Sequence, residues 1–211
     1  MDRRHGRESE QPLPRPGRGK PKARFERHGL GVAYAGIVLA GGAARRLSGV
    51  DKPALAIGGK PLLARALAAL AEADPVIVVG PERPGFGGVR WTREAEPGTG
   101  PVAALAAGLA LVRTEIVAVL AGDLAGVRKS TVDRLMAALG SASGAVLVDA
   151  GGERQWLLGV WRTEALRGAL PEPVENASLR RTLGGLDIVE VPEEPGESAD
   201  IDTPEDIDRF S

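Results

Sequence analysis

Five short, almost wholly apolar runs punctuate the chain, and their spacing constrains the fold more than any other feature. Gly36–Ala40, Val76–Val79, Ile116–Leu120, Ala145–Val148 and Trp156–Trp161 are each four to six residues long. A run of this kind carries no polar alternate, so it reads as a strand buried on both faces. Helical patterns lie between them. In Pro61–Ala73, Leu63, Leu67 and Leu70 recur at i, i+4 and i+7, with Pro61 suited to a first turn. Val102–Val112 and Thr131–Leu139 read as helices too, the second with Ser130 as its N-cap. Buried strands alternating with helices predict an α/β domain: a three-layer αβα, Rossmann-like arrangement whose mostly parallel sheet has helices on both faces. In such sheets ligands bind beyond the carboxyl ends of the strands, which directs attention to the loops found there.

Charge sets the domain boundary. Residues 1–28 hold nine Lys/Arg against four Asp/Glu, leaving a net negative remainder in a chain of overall charge −1. This stretch has few aliphatic residues and many Pro and Gly, so it cannot bury enough apolar surface to offset the entropy of ordering. The sequence predicts a disordered basic tail over 1–34 and one domain over 35–211. The tail lacks the apolar core of a secretory signal, and no apolar run approaches the ~20 residues of a membrane span. The expectation is a cytoplasmic protein that binds neither membrane nor nucleic acid.

The residue census narrows the chemistry. There is no cysteine, and the two histidines, His5 and His28, both fall in the tail. Disulfides, zinc–thiolate sites, thiol nucleophiles and imidazole bases are thereby excluded or disfavoured. A site in this chain must be built from carboxylates, Lys, Arg, hydroxyls and backbone N–H groups.

Directly after the first apolar run stands Leu39-Ala40-Gly41-Gly42-Ala43-Ala44-Arg45-Arg46-Leu47-Ser48-Gly49-Val50-Asp51-Lys52. Paired glycines let backbone N–H groups approach an anion without Cβ interference, and the cations add charge-assisted donors. The spacing is neither that of a dinucleotide fingerprint nor that of a P-loop. By composition alone, such a loop serves equally well as a plain surface turn.

This segment resembles the signature loop of the molybdenum cofactor guanylyltransferases, small relatives of the nucleotide-sugar pyrophosphorylases. Further segments are similar to family elements in the same order: Gly58-Gly59-Lys60-Pro61-Leu62-Leu63 as a turn and helix start, Gly98-Thr99-Gly100-Pro101-Val102, Leu120-Ala121-Gly122-Asp123, and Asp200-Ile201-Asp202-Thr203-Pro204-Glu205. The resemblance implies transfer of GMP from GTP to the terminal phosphate of molybdopterin cofactor, with pyrophosphate leaving. It implies Mg²⁺ as the cofactor, and proteins that deliver or insert the molybdenum cofactor as further partners. It assigns Lys52, Arg46 and Asp123 to catalysis. Leu39, Ala40, Gly41, Gly42, Lys52, Glu94, Gly100, Pro101 and Asp123 would bind nucleotide, and Asp123 and Asp202 the metal. The chain departs from the family in having no cysteine before Asp123, and Asp where many members carry Asn near 200–202.

Residue by residue, alternatives stay open. In-line displacement at a phosphorus needs positioning and charge neutralisation rather than a covalent nucleophile, which suits the census. A carboxylate just beyond a strand can hold Mg²⁺, but Asp123 fits a turn position as well. Asp202, and Asp200 still more, could serve only to favour the helix start at Thr203-Pro204. Trp156 suits stacking on a flat ring or simple core packing, and Arg180 and Arg181 suit a phosphate or a solvated helix face. Close rivals are transfer from CTP to the same acceptor and a sugar-phosphate nucleotidyltransferase. From another class, the rival is a non-catalytic nucleotide- or partner-binding module.

Overall fold

In a computed structural model the described residues are 32–41 and 51–199. Five strands stand where the apolar runs predict them: β1 (Tyr34–Leu39), β4 (Val76–Val79), β6 (Ile116–Ala121), β7 (Gly144–Val148) and β8 (Arg154–Arg162). Two short strands, β5 (Arg90–Thr92) and β9 (Ile188–Pro192), complete a seven-stranded sheet in the order β5-β4-β1-β6-β8-β7-β9. The sheet is mostly parallel, with β8 alone running against its neighbours β6 and β7. Strand β1 sits near the middle, its Leu39 in register with Val79 on one side and Ala121 on the other.

Alternate residues of each central strand feed two separate cores, as the period of two requires. Val38, Val78 and Leu120 pack beneath α1 (Leu62–Ala69) and α3 (Lys129–Ala138) through Leu63, Ala66, Val132 and Leu135. Ile37, Ile77, Val79, Val117 and Val119 face the other way, against Leu105 and Leu109 of α2 (Pro101–Leu109), Leu166 of α4 (Thr163–Ala169) and Leu183 of α5 (Leu179–Leu183). Small residues permit this closeness. A Cβ on Gly108 would lie 2.9 Å from the Ile37 side chain, and one on Gly144 would lie 2.3 Å from the indole of the fully buried Trp161. Among the described residues, no helix is long and apolar enough to cross a membrane.

Three local expectations are corrected. Lys60–Pro61 does not start the helix but forms β3, paired antiparallel with β2 (Ala56–Ile57), and α1 begins at Leu62. Pro61 has φ −56° and ψ 144°, an extended conformation that suits a strand partner and the N-cap position. The N-cap of α3 is Arg128 rather than Ser130, because the Thr131 hydroxyl accepts the Arg128 backbone N–H at 3.2 Å and fixes the helix start two residues earlier. Strand β1 begins at Tyr34, a buried residue one position before the predicted domain boundary.

Candidate active site

The carboxyl ends of β1, β4, β5 and β6 meet at one edge of the sheet and are laced together by backbone hydrogen bonds. Ala40 N–H donates to Val79 at 2.8 Å, Gly80 N–H to Thr92 at 2.9 Å, and Gly122 N–H to Leu39 at 2.9 Å. Leu39 and Ala40 are buried and Gly41 is exposed, so the predicted anion-facing backbone emerges at the sheet edge. Two glycines make this possible. A Cβ on Gly122 would stand 3.1 Å from Ala40, and one on Gly80 (φ +153°) would stand 2.7 Å from the Ala40 carbonyl carbon. Gly42, Arg45 and Arg46 lie outside the described residues.

Lys52 opens a short 3-10 turn, Lys52–Ala54, that leads into the β2–β3 hairpin. This unit is fastened to the loop that carries Asp123. Ile57 and Leu62 bury against Ala125, and Arg65 of α1 donates to the carbonyls of Ile57 (2.7 Å) and Ala125 (3.3 Å). The segments of Lys52 and Asp123, 71 residues apart in sequence, are thus parts of one packed edge. Arg83, missed by the sequence reading, ties the Lys52 segment to the exit of β1. Its buried guanidinium donates to both carboxylate oxygens of Asp51 and to the Ala40 and Pro81 carbonyls.

Asp123 follows β6 by two residues and is partly exposed at this edge. The chain's late segment returns to the same loop. Ala125 N–H donates to the carbonyl of Ala199 at 2.8 Å, and Gly126 packs so tightly on Gly196 that a Cβ would overlap its carbonyl. Glu197 holds this return in place. Fully buried, its carboxylate accepts the Thr131 hydroxyl (2.6 Å), the Glu194 N–H (2.7 Å) and Arg134 (2.8 Å). Burial alone would raise the Glu197 pKa, but these donors outweigh it and hold the carboxyl below its ordinary range. Asp200 and Asp202 lie outside the described residues, although Ala199, the residue before Asp200, is bonded to the Asp123 loop. Among the described residues, no three Asp, Glu, His or Cys side chains converge as a metal site.

Glu94 lies just beyond β5 and close to Gly41, and accepts the Gly98 N–H at 3.0 Å. Gly100 (φ +105°) is the N-cap of α2 and Pro101 its first residue, the helix start that the sequence predicts. Their loop is pinned by Asn176, whose N–H donates to Thr99 at 2.6 Å. The segment from Asn176 leads into α5 and to a cleft of about 690 Å³ lined by Arg154, Trp156, Arg180, Arg181 and Glu190. Trp156 is half-buried: its ring packs on the second core and Arg154 lies 5.6 Å above it. A register break between Val146 and Leu147 leaves Trp156, Leu157 and Leu158 out of the pairing with β7, an irregularity that frees the tryptophan to line the cleft. Asp149 shapes the cleft's rim by accepting the N–H groups of Gly151 and Glu153.

Fold and edge together define a class of protein, the nucleotidyltransferases of the α/β kind, and comparison with known proteins agrees. Residues 36–190 match the family model described as the MobA-like NTP transferase domain. The chain is 32% identical over 186 residues to the molybdenum cofactor guanylyltransferase of Rhodobacter capsulatus, covering 84% of this chain and 95% of that one. It is 33% identical over 153 residues to the enzyme of the same name from Bradyrhizobium sp. (strain ORS 278), covering 66% and 72%. Among solved structures, the molybdopterin-guanine dinucleotide biosynthesis protein A of Archaeoglobus fulgidus superposes with a TM-score of 0.63 at 20% identity, over 83% of this chain and 96% of that one. A homologue of Rv0371c from Mycobacterium sp. strain JC1 superposes at 0.69 with 25% identity, over 83% and 93%. The chain belongs to the MobA-like NTP transferase domain family and is a nucleotidyltransferase.

Proposed function

We propose that this enzyme transfers GMP from GTP to the terminal phosphate of molybdopterin cofactor, releasing pyrophosphate, in the cytoplasm. The observation that carries the reading is the joining of the Leu39–Gly41 strand exit, the Lys52 turn and the Asp123 loop at one sheet edge, in a chain 32% identical to a named guanylyltransferase. The Gly41 and Gly42 amides would face the triphosphate, with Lys52 and Arg46 neutralising phosphate oxygens as charge shifts toward the leaving pyrophosphate. Arg46, like Gly42, is assigned by its motif alone. Glu94 orders the Gly98–Pro101 turn, so the start of α2 would receive the base and ribose.

Oxygen donors fit a hard cation at this edge. Asp123 would hold Mg²⁺, with Asp202 as a second ligand from the segment that Ala199 leads into. When bound, the ion lowers the cost of concentrating negative charge on the phosphates. The cleft of Arg180, Arg181 and Trp156 suits the acceptor. Two guanidinium groups match a phosphate, and the half-buried indole of Trp156, with Arg154 over its ring, would give a flat ring an aromatic wall at the cleft.

The test is to supply the purified enzyme with Mg²⁺, molybdopterin and each nucleoside triphosphate in turn. Pyrophosphate released from GTP supports the reading. Release from CTP alone overturns the base assignment, and release from none overturns the activity.

A further inference from the structure

Arg83 is the one arginine among the described residues that is at most 9% exposed, and its partners define its task. Nε donates to one carboxylate oxygen of Asp51 at 2.7 Å, and Nη2 donates to the other at 2.5 Å. The same Nη2 donates to the Ala40 carbonyl at 3.0 Å, and Nη1 to the Pro81 carbonyl at 3.1 Å. A planar guanidinium can make this fork, whereas an ammonium cannot. Ala40 and Asp51 flank the glycine- and arginine-rich stretch on its two sides. One buried side chain, supplied by the loop after β4, therefore ties the end of β1 to the residue that immediately precedes Lys52.

We infer that Arg83 is a positioning residue: by clamping Asp51 to Ala40 it fixes where Lys52 stands relative to the Gly41 backbone, without touching the nucleotide itself. The inference rests on the proposed nucleotidyl transfer for its catalytic consequence, but the clamp itself can be tested separately. The geometry explains why Asp51, half exposed and directly beside a functional lysine, is acidic. Its carboxylate is engaged from within by Arg83, so it can orient the turn while leaving the phosphate-facing side to cations. It also explains why Pro81 is a partner. Its carbonyl accepts Nη1 and holds the guanidinium plane against the strand exit.

The experiment uses Arg83→Lys, which keeps a cation in the pocket but loses the fork, alongside Asp51→Asn. Each is expected to lower kcat/KM for the nucleotide by about 10- to 100-fold, the scale of a sub-ångström to 1 Å misplacement of a catalytic group. Combined, the two are expected to lose little more than either alone, because they break one linkage. The decisive comparison is made in a Lys52→Ala background, where Arg83→Lys is expected to change kcat/KM by less than about twofold. A residue that merely supports the fold would cause its full loss there too. A readout independent of activity is amide hydrogen exchange at Ala54 and Leu55, whose N–H groups bond to Asp51 and Lys52. Arg83→Lys is expected to accelerate both while leaving the amides of β6 unchanged. Faster exchange in an enzyme that turns over no nucleotide would uphold the clamp and refute the proposed activity. Unchanged exchange, or an equal loss with and without Lys52, would overturn the positioning role.

Discussion

Replacing Gly80 by Ala probes how closely the strand exits must pack. A Cβ there would lie 2.7 Å from the Ala40 carbonyl carbon and oxygen and 2.9 Å from the Gly41 nitrogen, where ordinary contacts begin at 3.4 Å. The obstacle is backbone rather than a flexible side chain, so the Ala40–Gly41 segment must retreat by about 0.7 Å or the sheet must open. Overpacking of this kind costs about 1–3 kcal/mol. A residue with a Cβ held at φ +153° adds about 1 kcal/mol or more. A total of about 2–4 kcal/mol corresponds to a fall in Tm of about 5–15 °C for a domain of this size. Because the displaced atoms are those that would face the triphosphate, kcat/KM is expected to fall about 10- to 100-fold at temperatures where the variant remains folded. Differential scanning calorimetry and a pyrophosphate-release assay measure the two effects. Gly87→Ala is the control, since a Cβ there would meet no atom within 4 Å, and it should match the parent in both assays. A Gly80→Ala enzyme with unchanged Tm and turnover would refute the claim that this contact positions the site.

Asp123→Asn keeps the shape of the side chain but removes a good ligand for a hard cation, so turnover should drop by about 10³-fold or more with little change in Tm; undiminished turnover removes Asp123 from the mechanism. Arg181→Ala should raise KM for the molybdopterin acceptor about tenfold, the scale of one charge-assisted hydrogen bond, and leave KM for GTP unchanged in the same steady-state assay. Glu197→Gln should destabilise the protein by about 1–3 kcal/mol at pH 7 in urea titrations, because Arg134 loses its buried partner while remaining partly solvated. The sign of its pH dependence follows from a folded pKa held below the ordinary 4.5. The carboxylate's contribution is complete above that value and is lost as pH falls through the lower folded value, so parent and variant should converge in strong acid. Deleting residues 1–30 should leave turnover near that of the full chain.

The central architecture was legible because burial on both faces removes polar alternates from β1, β4, β6 and β7. The same logic failed for β5 and β9. Arg90-Trp91-Thr92 and Ile188–Pro192 lie at the sheet's edges, where among the described residues one side has no partner strand and charged residues such as Arg90 and Glu190 are tolerated. The β2–β3 hairpin has only two residues in each strand, too few for any period to register. Motif order located the strand exits, the Lys52 turn, Asp123 and the α2 start. It did not reveal Arg83, Arg65, Asn176 or Glu197, each of which holds the site through at least one hydrogen-bond partner distant in sequence: Asp51 and Ala40 for Arg83, Ala125 for Arg65, Thr99 for Asn176, and Thr131 and Arg134 for Glu197. Arg83 gave one usable signal: it stands in the loop after a parallel strand's carboxyl end, where this fold class gathers its working residues.

The most direct test of the account follows the phosphorus atoms of GTP. With Mg²⁺ and molybdopterin, label at the α-phosphorus should appear in the dinucleotide product, and label at the γ-phosphorus should appear in pyrophosphate. Equimolar CTP should reduce neither signal appreciably. Transfer of the γ-label to the acceptor, or a product carrying cytidine in preference to guanosine, would contradict guanylyl transfer as the reaction of this edge.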